Sequence, residues 1–258
     1  MVHLTINGKV IKAAEGEMLL PAIRRQGIEI PALCDHAAVE PCGACRLCMV
    51  EITRQDWNGW RRHVTSCLYP VEEGLIVSTH TPQVLEIRRT ILDLYLARCP
   101  NSDVIQKMAE EYGLTKTSYE VIPEGDNCIM CYACTRICEM LGKSAISAVQ
   151  RGHKKVISAP FGKEPPDCIG CLSCAFICPT DVIEWRDQNG TRTIWSRTFE
   201  LISCTACGKQ ILTRDFADYL AAKRAVPREY FETCDDCKRV ELSRKMGGLV
   251  DLAKEVAL

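Results

Sequence analysis

Eighteen of the 258 residues are cysteines, and sixteen of them fall into four groups of four with the spacing of metal ligands. Two groups share the pattern C-x2-C-x2-C-x3-C: Cys128, Cys131, Cys134 and Cys138, then Cys168, Cys171, Cys174 and Cys178. Three closely spaced thiolates can wrap one face of a 4Fe-4S cube, and in two-cluster ferredoxins the fourth cysteine of each run serves the other cube. That rule assigns Cys128, Cys131, Cys134 and Cys178 to one cluster and Cys168, Cys171, Cys174 and Cys138 to the other. Two zinc sites are the competing reading, but zinc prefers paired C-x2-C knuckles to runs of four. A third group, Cys34, Cys45, Cys48 and Cys67, takes three thiolates from one loop and a fourth from a distant strand end. It suits a flat 2Fe-2S rhomb with two cysteines on each iron. Cys42, inside CGACRLC, competes for a place in that set and is read as a small buried thiol. Cys34-Asp35-His36 resembles half of a Rieske site, but cysteines stand where a second histidine is required, so His36 is read as a loop or outer residue. The fourth group is Cys204-x2-Cys207 with Cys234-x2-Cys237. Two such knuckles suit a tetrahedral structural site, most simply zinc; rubredoxin-like iron or another cluster would use the same ligands.

These ligands need elements to hold them. Residues 2–12 alternate around Asn7-Gly8 and predict a hairpin with a tight turn. Residues 17–26 predict a short helix, with Pro21 in or near its first turn, while 49–53 and 75–79 predict strands. Residues 1–80 therefore suggest a small mixed sheet packed on one helix. In 82–98, Val84, Ile87, Ile91 and Leu94 form a helical stripe widened by Leu85, Leu92 and Leu96, and 103–112 predict a second short helix ended by Gly113. Residues 121–186 hold an internal repeat, DNCIMCYACTRIC and PDCIGCLSCAFIC, offset by 40 positions. Pro179 follows the second run, whereas Glu139 follows the first. A helix is predicted over 213–224, and the tail, 241–258, reads as a helix interrupted at Gly247-Gly248.

Composition excludes several classes. Lys plus Arg number 32 and Asp plus Glu 33, for a net charge of -1. That balance argues against a nucleic-acid binder and a polybasic membrane anchor. No apolar run approaches the roughly 18 residues of a spanning helix, and MVHLTINGKV lacks the layout of a signal peptide. A cytoplasmic protein without membrane insertion is expected, in which thiols serve metals rather than disulfides. The sequence has no Gly-rich dinucleotide fingerprint, P-loop, nucleophile elbow or HExxH pair. No substrate site or catalytic residue is read, and Asp235-Asp236 reads as a pair of solvated charges.

ALCDHAAVEPCGACRLCMVEI, followed by TSCLYPVEEGLIVST, resembles the 2Fe-2S domain at the start of the large iron-sulfur subunit of respiratory complex I. It is similar also to the N-terminal region of iron-only hydrogenases and to the diaphorase iron-sulfur subunit of NAD-reducing nickel-iron hydrogenases. The resemblance covers roughly residues 1–190. It implies an α+β chain: a β-grasp 2Fe-2S ferredoxin domain (1–80), a helical linker (81–118) and a ferredoxin-like domain with two 4Fe-4S clusters (119–190). A zinc-ribbon-like module with a C-terminal helix (191–258) completes the chain. Members of that group often carry an additional cluster on one His and three Cys; here Cys99 stands in the His position and no further cysteine precedes Cys128, so that cluster is not expected. The resemblance implies an electron-transfer subunit of a multisubunit oxidoreductase. Its partners would be a flavin-containing NAD(P)H-oxidising subunit and a hydrogenase or formate dehydrogenase catalytic subunit, in an arrangement that could be electron-bifurcating. A free-standing multi-cluster ferredoxin and a redox-sensing scaffold are the alternatives.

Overall fold

The computed structural model describes residues 1–121 and 127–256, with side chains described as far as residue 246. The start of the expected repeat, 122–126, and the last two residues lie outside the described residues. Strands β1 (Val2–Ile6) and β2 (Lys9–Ala13) form the anticipated hairpin. Asn7 and Gly8 supply the two left-handed positions of its turn, at φ of 49° and 83°. Helix α1 (Leu19–Arg24) precedes the long cysteine loop, which ends at β3 (Met49–Thr53). Strand β4 (Arg62–Thr65), not anticipated from the sequence, pairs with β3, and β5 (Ile76–Ser78) completes a five-stranded sheet in the order β2-β1-β5-β3-β4. Only the β1–β5 pair is parallel. Leu4, Ile6, Ile52 and Val77 of the sheet are fully buried with Leu19, Leu20 and Ile23 of α1. Each such side chain is worth about 1.5–3 kcal/mol on burial, so a charged residue at Leu20 or Ile52 would undo this layer.

Helix α2 (Pro82–Arg98) begins where expected, with Thr81 accepting from the Val84 N–H at 3.3 Å and Pro82 at the first helical position. Its buried face keeps Val84, Leu92 and Leu96 of the expected stripe, loses the rest and adds Arg88. Val84, Arg88, Leu92 and Leu96 point inward, whereas Ile87 and Ile91 are half-buried and Leu94 is 48% exposed. The inward line steps by four residues and includes a charged side chain, which a search for apolar periodicity passes over. Helix α3 (Asp103–Glu111) packs on α2 and ends before Gly113, at φ 74°.

In the repeat, α4 (Ala133–Met140) and α5 (Ser173–Phe176) occupy equivalent places. Glu139 allows α4 to run past Cys138, whereas α5 stops before Cys178-Pro179, as the restriction on the residue before proline requires. Between them, β6 (Ser147–Val149) and β7 (Val156–Ser158) form a two-stranded ribbon. Strands β8 (Trp185–Gln188), β9 (Thr191–Ile194), β10 (Arg197–Ser203) and β11 (Gln210–Thr213) form an antiparallel meander. The division expected at 190 falls in the turn of the β8–β9 hairpin. Helix α6 (Arg214–Arg224) starts at Thr213, whose hydroxyl caps it. Helix α7 (Asp235–Val256) runs without a break through Gly247 and Gly248, correcting the interrupted tail helix. Two glycines weaken a helix by about 1 kcal/mol each, which leaves a helix of this length intact. No helix among the described residues is long and apolar enough to cross a membrane.

Candidate cluster and metal sites

The N-terminal set converges. Cys34, Cys45 and Cys48 lie in the loop between α1 and β3, Cys67 follows β4, and all four are at most 2% exposed. They associate as two pairs. The Cys45 thiol donates to Cys34, whose thiol is drawn down to about 5, while Cys45 itself is raised. Cys67 acts likewise on Cys48, drawn down to about 7, and is itself raised. The Cys45 N–H also approaches Cys34 Sγ at 3.5 Å. Four buried thiols in two close pairs fit a rhomb with two ligands per iron, since metal binding removes their protons. Ser66 ties the two halves together: its backbone N–H and its hydroxyl both donate to the Cys48 carbonyl, at 3.0 and 2.8 Å. Arg88, unforeseen in the sequence, reaches from α2 with no exposed surface and donates to the carbonyls of Leu47 (3.1 Å) and Met49 (2.7 Å) on either side of Cys48. His36 is exposed and accepts from the Ala38 N–H at 3.1 Å, a turn role.

The duplicated runs adopt one backbone conformation. Met130 and Tyr132 in the first have φ of 54° and 59°; Gly170 and Leu172 in the second have 64° and 62°. These alternating left-handed residues turn successive N–H groups and cysteines toward a common centre. Two cavities result. One is lined by Cys128, Cys131, Cys134 and Cys178, the other by Cys138, Cys168, Cys171 and Cys174. The fourth cysteine of each run thus lies with the first three of the other. Burial pushes Cys131 up to about 11 and Cys134 and Cys174 up to about 12, so that only a bound metal would ionise them at neutral pH.

The N-terminal and first tandem sites are in contact. Cys42, half-buried, donates its thiol to the Cys131 carbonyl at 3.6 Å. Arg136 of α4, a second residue the sequence did not reveal, donates to the carbonyls of Cys34 (2.8 Å) and Cys131 (3.3 Å). Cys99, at the end of α2, is fully buried in the same core as Cys34, Cys45 and Cys131.

Cys204, Cys207, Cys234 and Cys237 place their sulfurs within 4.8 Å of one another. Cys207 and Cys234 are 3.7 Å apart; a tetrahedral centre with Zn–S bonds of about 2.3 Å has sulfur–sulfur edges of about 3.8 Å. The Cys234 N–H donates to Cys204 Sγ at 3.3 Å and draws that thiol down to about 6. Asp236 pairs with Lys209 across the two knuckles at 3.1 Å.

Residues 1–82 match the profile of the 2Fe-2S iron-sulfur cluster binding domain. Four cysteines that are each at most 2% exposed lie within that segment, and the remaining groups of cysteines indicate further iron-sulfur chemistry. The chain is homologous to components of NAD(P)-linked oxidoreductases. It is 32% identical over 231 residues to the NADPH-Fe(3+) oxidoreductase subunit alpha of Geobacter sulfurreducens, covering 80% of this chain and 27% of that protein. The NADP-reducing hydrogenase subunit HndD of Solidesulfovibrio fructosivorans is 29% identical over 215 residues, covering 71% of this chain and 36% of that one. A component of the NADH-quinone oxidoreductase of Rhizobium meliloti is 29% identical over 234 residues, covering 81% and 27%. The chain therefore spans about a quarter to a third of the length of these relatives. A crystal structure of NAD+-reducing [NiFe]-hydrogenase in the H2-reduced state aligns with a TM-score of 0.61 and 27% identity, over 70% of this chain and 85% of that one.

Proposed function

We propose that this chain is an electron-relay subunit, holding a 2Fe-2S cluster on Cys34, Cys45, Cys48 and Cys67. A 4Fe-4S cluster is held on Cys128, Cys131, Cys134 and Cys178, and a second on Cys138, Cys168, Cys171 and Cys174. The observation that carries the reading is the sorting of the tandem cysteines into two cavities by the crossed rule, with the first abutting the N-terminal site through Arg136 and Cys42. When bound, such clusters accept and release single electrons. The chain's own residues set their separation and surround them with N–H donors and apolar walls, which tune the potentials. Cys204, Cys207, Cys234 and Cys237 hold a structural zinc that folds the C-terminal module. The relatives act with NADPH, NADP or NADH, and one is a hydrogenase subunit. Their likeness supports a relay that runs between a flavin-bearing, NAD(P)H-oxidising subunit and a catalytic subunit, of which a hydrogenase is the leading candidate and a formate dehydrogenase the alternative. No catalytic residue of its own is assigned, and bifurcation would be a property of the whole complex.

Metal and sulfide analysis of anaerobically purified protein tests the assignment. It predicts about ten iron and ten acid-labile sulfide per chain, two from the rhomb and four from each cube, with about one zinc. About fourteen iron would replace the zinc by a further cube; about eight would remove the rhomb. Copurifying subunits would then separate the hydrogenase and formate readings, and a lone 28.9 kDa species from the native host would favour a free ferredoxin.

A further inference from the structure

The C-terminal meander does more than fold around its own four cysteines: it clamps the second tandem site. The Thr213 hydroxyl donates to the Ile169 carbonyl at 2.6 Å, and Arg192 donates to the Gly170 carbonyl at 3.2 Å. A Cβ at Gly170 would meet Phe199 and Thr213 side-chain carbons at 2.8 Å each. The equivalent residue of the first run, Met130, has the same backbone conformation and keeps its side chain. The meander therefore breaks the symmetry of the repeat, since these hydrogen bonds and this close approach fall on the second half.

The β9–β10 connection is the part of the meander that reaches the sites. Ile194 pairs with Arg197, leaving Trp195 and Ser196 as a two-residue turn. Both have left-handed backbone, at φ of 52° and 62°. Such turns favour Asn and Gly, and a bulky ring there persists only when its surroundings hold it. The Trp195 indole N–H is buried and has no hydrogen-bond partner among the described residues. The ring packs with Leu172 and Phe199 beside Cys168 and Cys174. Trp195 lines both tandem cavities.

We propose that Trp195 is a positioning residue for the tandem cluster pair: its ring walls off one site from the other, and its N–H donates to sulfur at the Cys138, Cys168, Cys171 and Cys174 site, raising that cluster's potential. The inference rests on the cluster assignment proposed above. An unpartnered buried donor is costly, and a cluster sulfur is the acceptor that the strained turn presents it to. Hydrogen bonds to cluster sulfur stabilise the more negative, reduced state. A duplicated ligand run would otherwise build two sites of similar chemistry; a single donor from outside the repeat makes them unequal.

Trp195→Phe keeps the ring and deletes the N–H. In the full chain, purified anaerobically, its iron and sulfide content should equal that of wild type. An EPR-monitored redox titration should show one 4Fe-4S midpoint moved to lower potential, with the other 4Fe-4S and the 2Fe-2S unmoved. Wild-type protein carrying 15N-indole tryptophan should show a 15N coupling at one reduced 4Fe-4S cluster by pulsed EPR, and this readout holds even if the variant loads poorly. Full loading with unmoved midpoints overturns the proposal, as does absence of the 15N coupling. Wild-type protein without two 4Fe-4S signals overturns the cluster assignment itself, and this proposal with it, so the two failures are distinguishable.

Discussion

Arg88 is a buried guanidinium with no carboxylate partner among the described residues; its hydrogen bonds go to the Leu47 and Met49 carbonyls and, at 3.5 Å, to the Tyr112 hydroxyl. Burying an uncompensated charge costs several kcal/mol. A 2Fe-2S cluster held as proposed on Cys34, Cys45, Cys48 and Cys67 would be anionic and would supply the missing countercharge. Arg88→Met removes the charge and keeps a long apolar side chain. It leaves two buried carbonyls unsatisfied, at about 1–3 kcal/mol each, offset in part by the guanidinium desolvation that is no longer incurred. A net loss of about 2 kcal/mol is expected. The effect on potential is larger. Were the cluster charge about 7 Å from the guanidinium, one charge in an effective dielectric of about 20 would be worth about 2.4 kcal/mol, which corresponds to about 100 mV for a one-electron couple. Because the lost charge was positive, the 2Fe-2S midpoint should fall by about that amount. EPR-monitored titration of fully loaded protein measures it, with Arg88→Lys as the control that restores the charge but not the forked geometry. Full 2Fe-2S content in Arg88→Met with an unmoved midpoint would refute the countercharge argument.

Cys45→Ala should abolish the 2Fe-2S absorption and EPR signal, while Cys42→Ala should retain both, since Cys42 is only half-buried beside Cys34 and also donates to the Cys131 carbonyl; equal loss in the two variants would reassign the ligand set. Gly170→Ala forces a Cβ onto Phe199 and Thr213 at φ 64° and should cost about 2–3 kcal/mol, read as faster loss of one 4Fe-4S signal in air, with the 2Fe-2S unaffected. Zinc chelation should unfold the C-terminal module, seen as new proteolytic cleavage beyond residue 203, and leave the iron content of the N-terminal site unchanged. His80 is lowered by burial and then by the charge of Arg88. The unfolded chain, at about 6.5, therefore takes up this proton first, so His80 makes stability decline as pH falls through about 6.5 toward its folded value. Denaturation midpoints in His80→Gln should show a shallower slope between pH 7 and 5, and an unchanged slope would remove His80 from the account.

What can be read in the chain is local. The Asn7-Gly8 turn, the Thr81-Pro82 start of α2 and the left-handed stop at Gly113 depend on a few neighbouring residues, and each stands where the sequence puts it. Ligand runs are legible for the same reason: a C-x2-C-x2-C loop must bring its own thiols together whatever surrounds it. The apolar residues that mark β3 and β5 are sparse in β4, whose Arg62 and His63 are exposed, and so that strand is not legible. Two glycines in α7 look like a stop but do not outweigh a long helix.

Which distant parts meet was decided by the tertiary structure alone. Arg88 is 41 residues from Leu47, Arg136 is 102 from Cys34, and Thr213 is 44 from Ile169. Nothing in the types of these residues names their partners, because each bond forms only after sheet, helices and meander have packed. A Trp in a two-residue turn reads as an ordinary hairpin tip until its unpartnered N–H is seen between two groups of cysteines. The cysteine groups were written in spacing, a short-range property of the chain; the charges and donors around them come from long-range packing, which spacing does not encode.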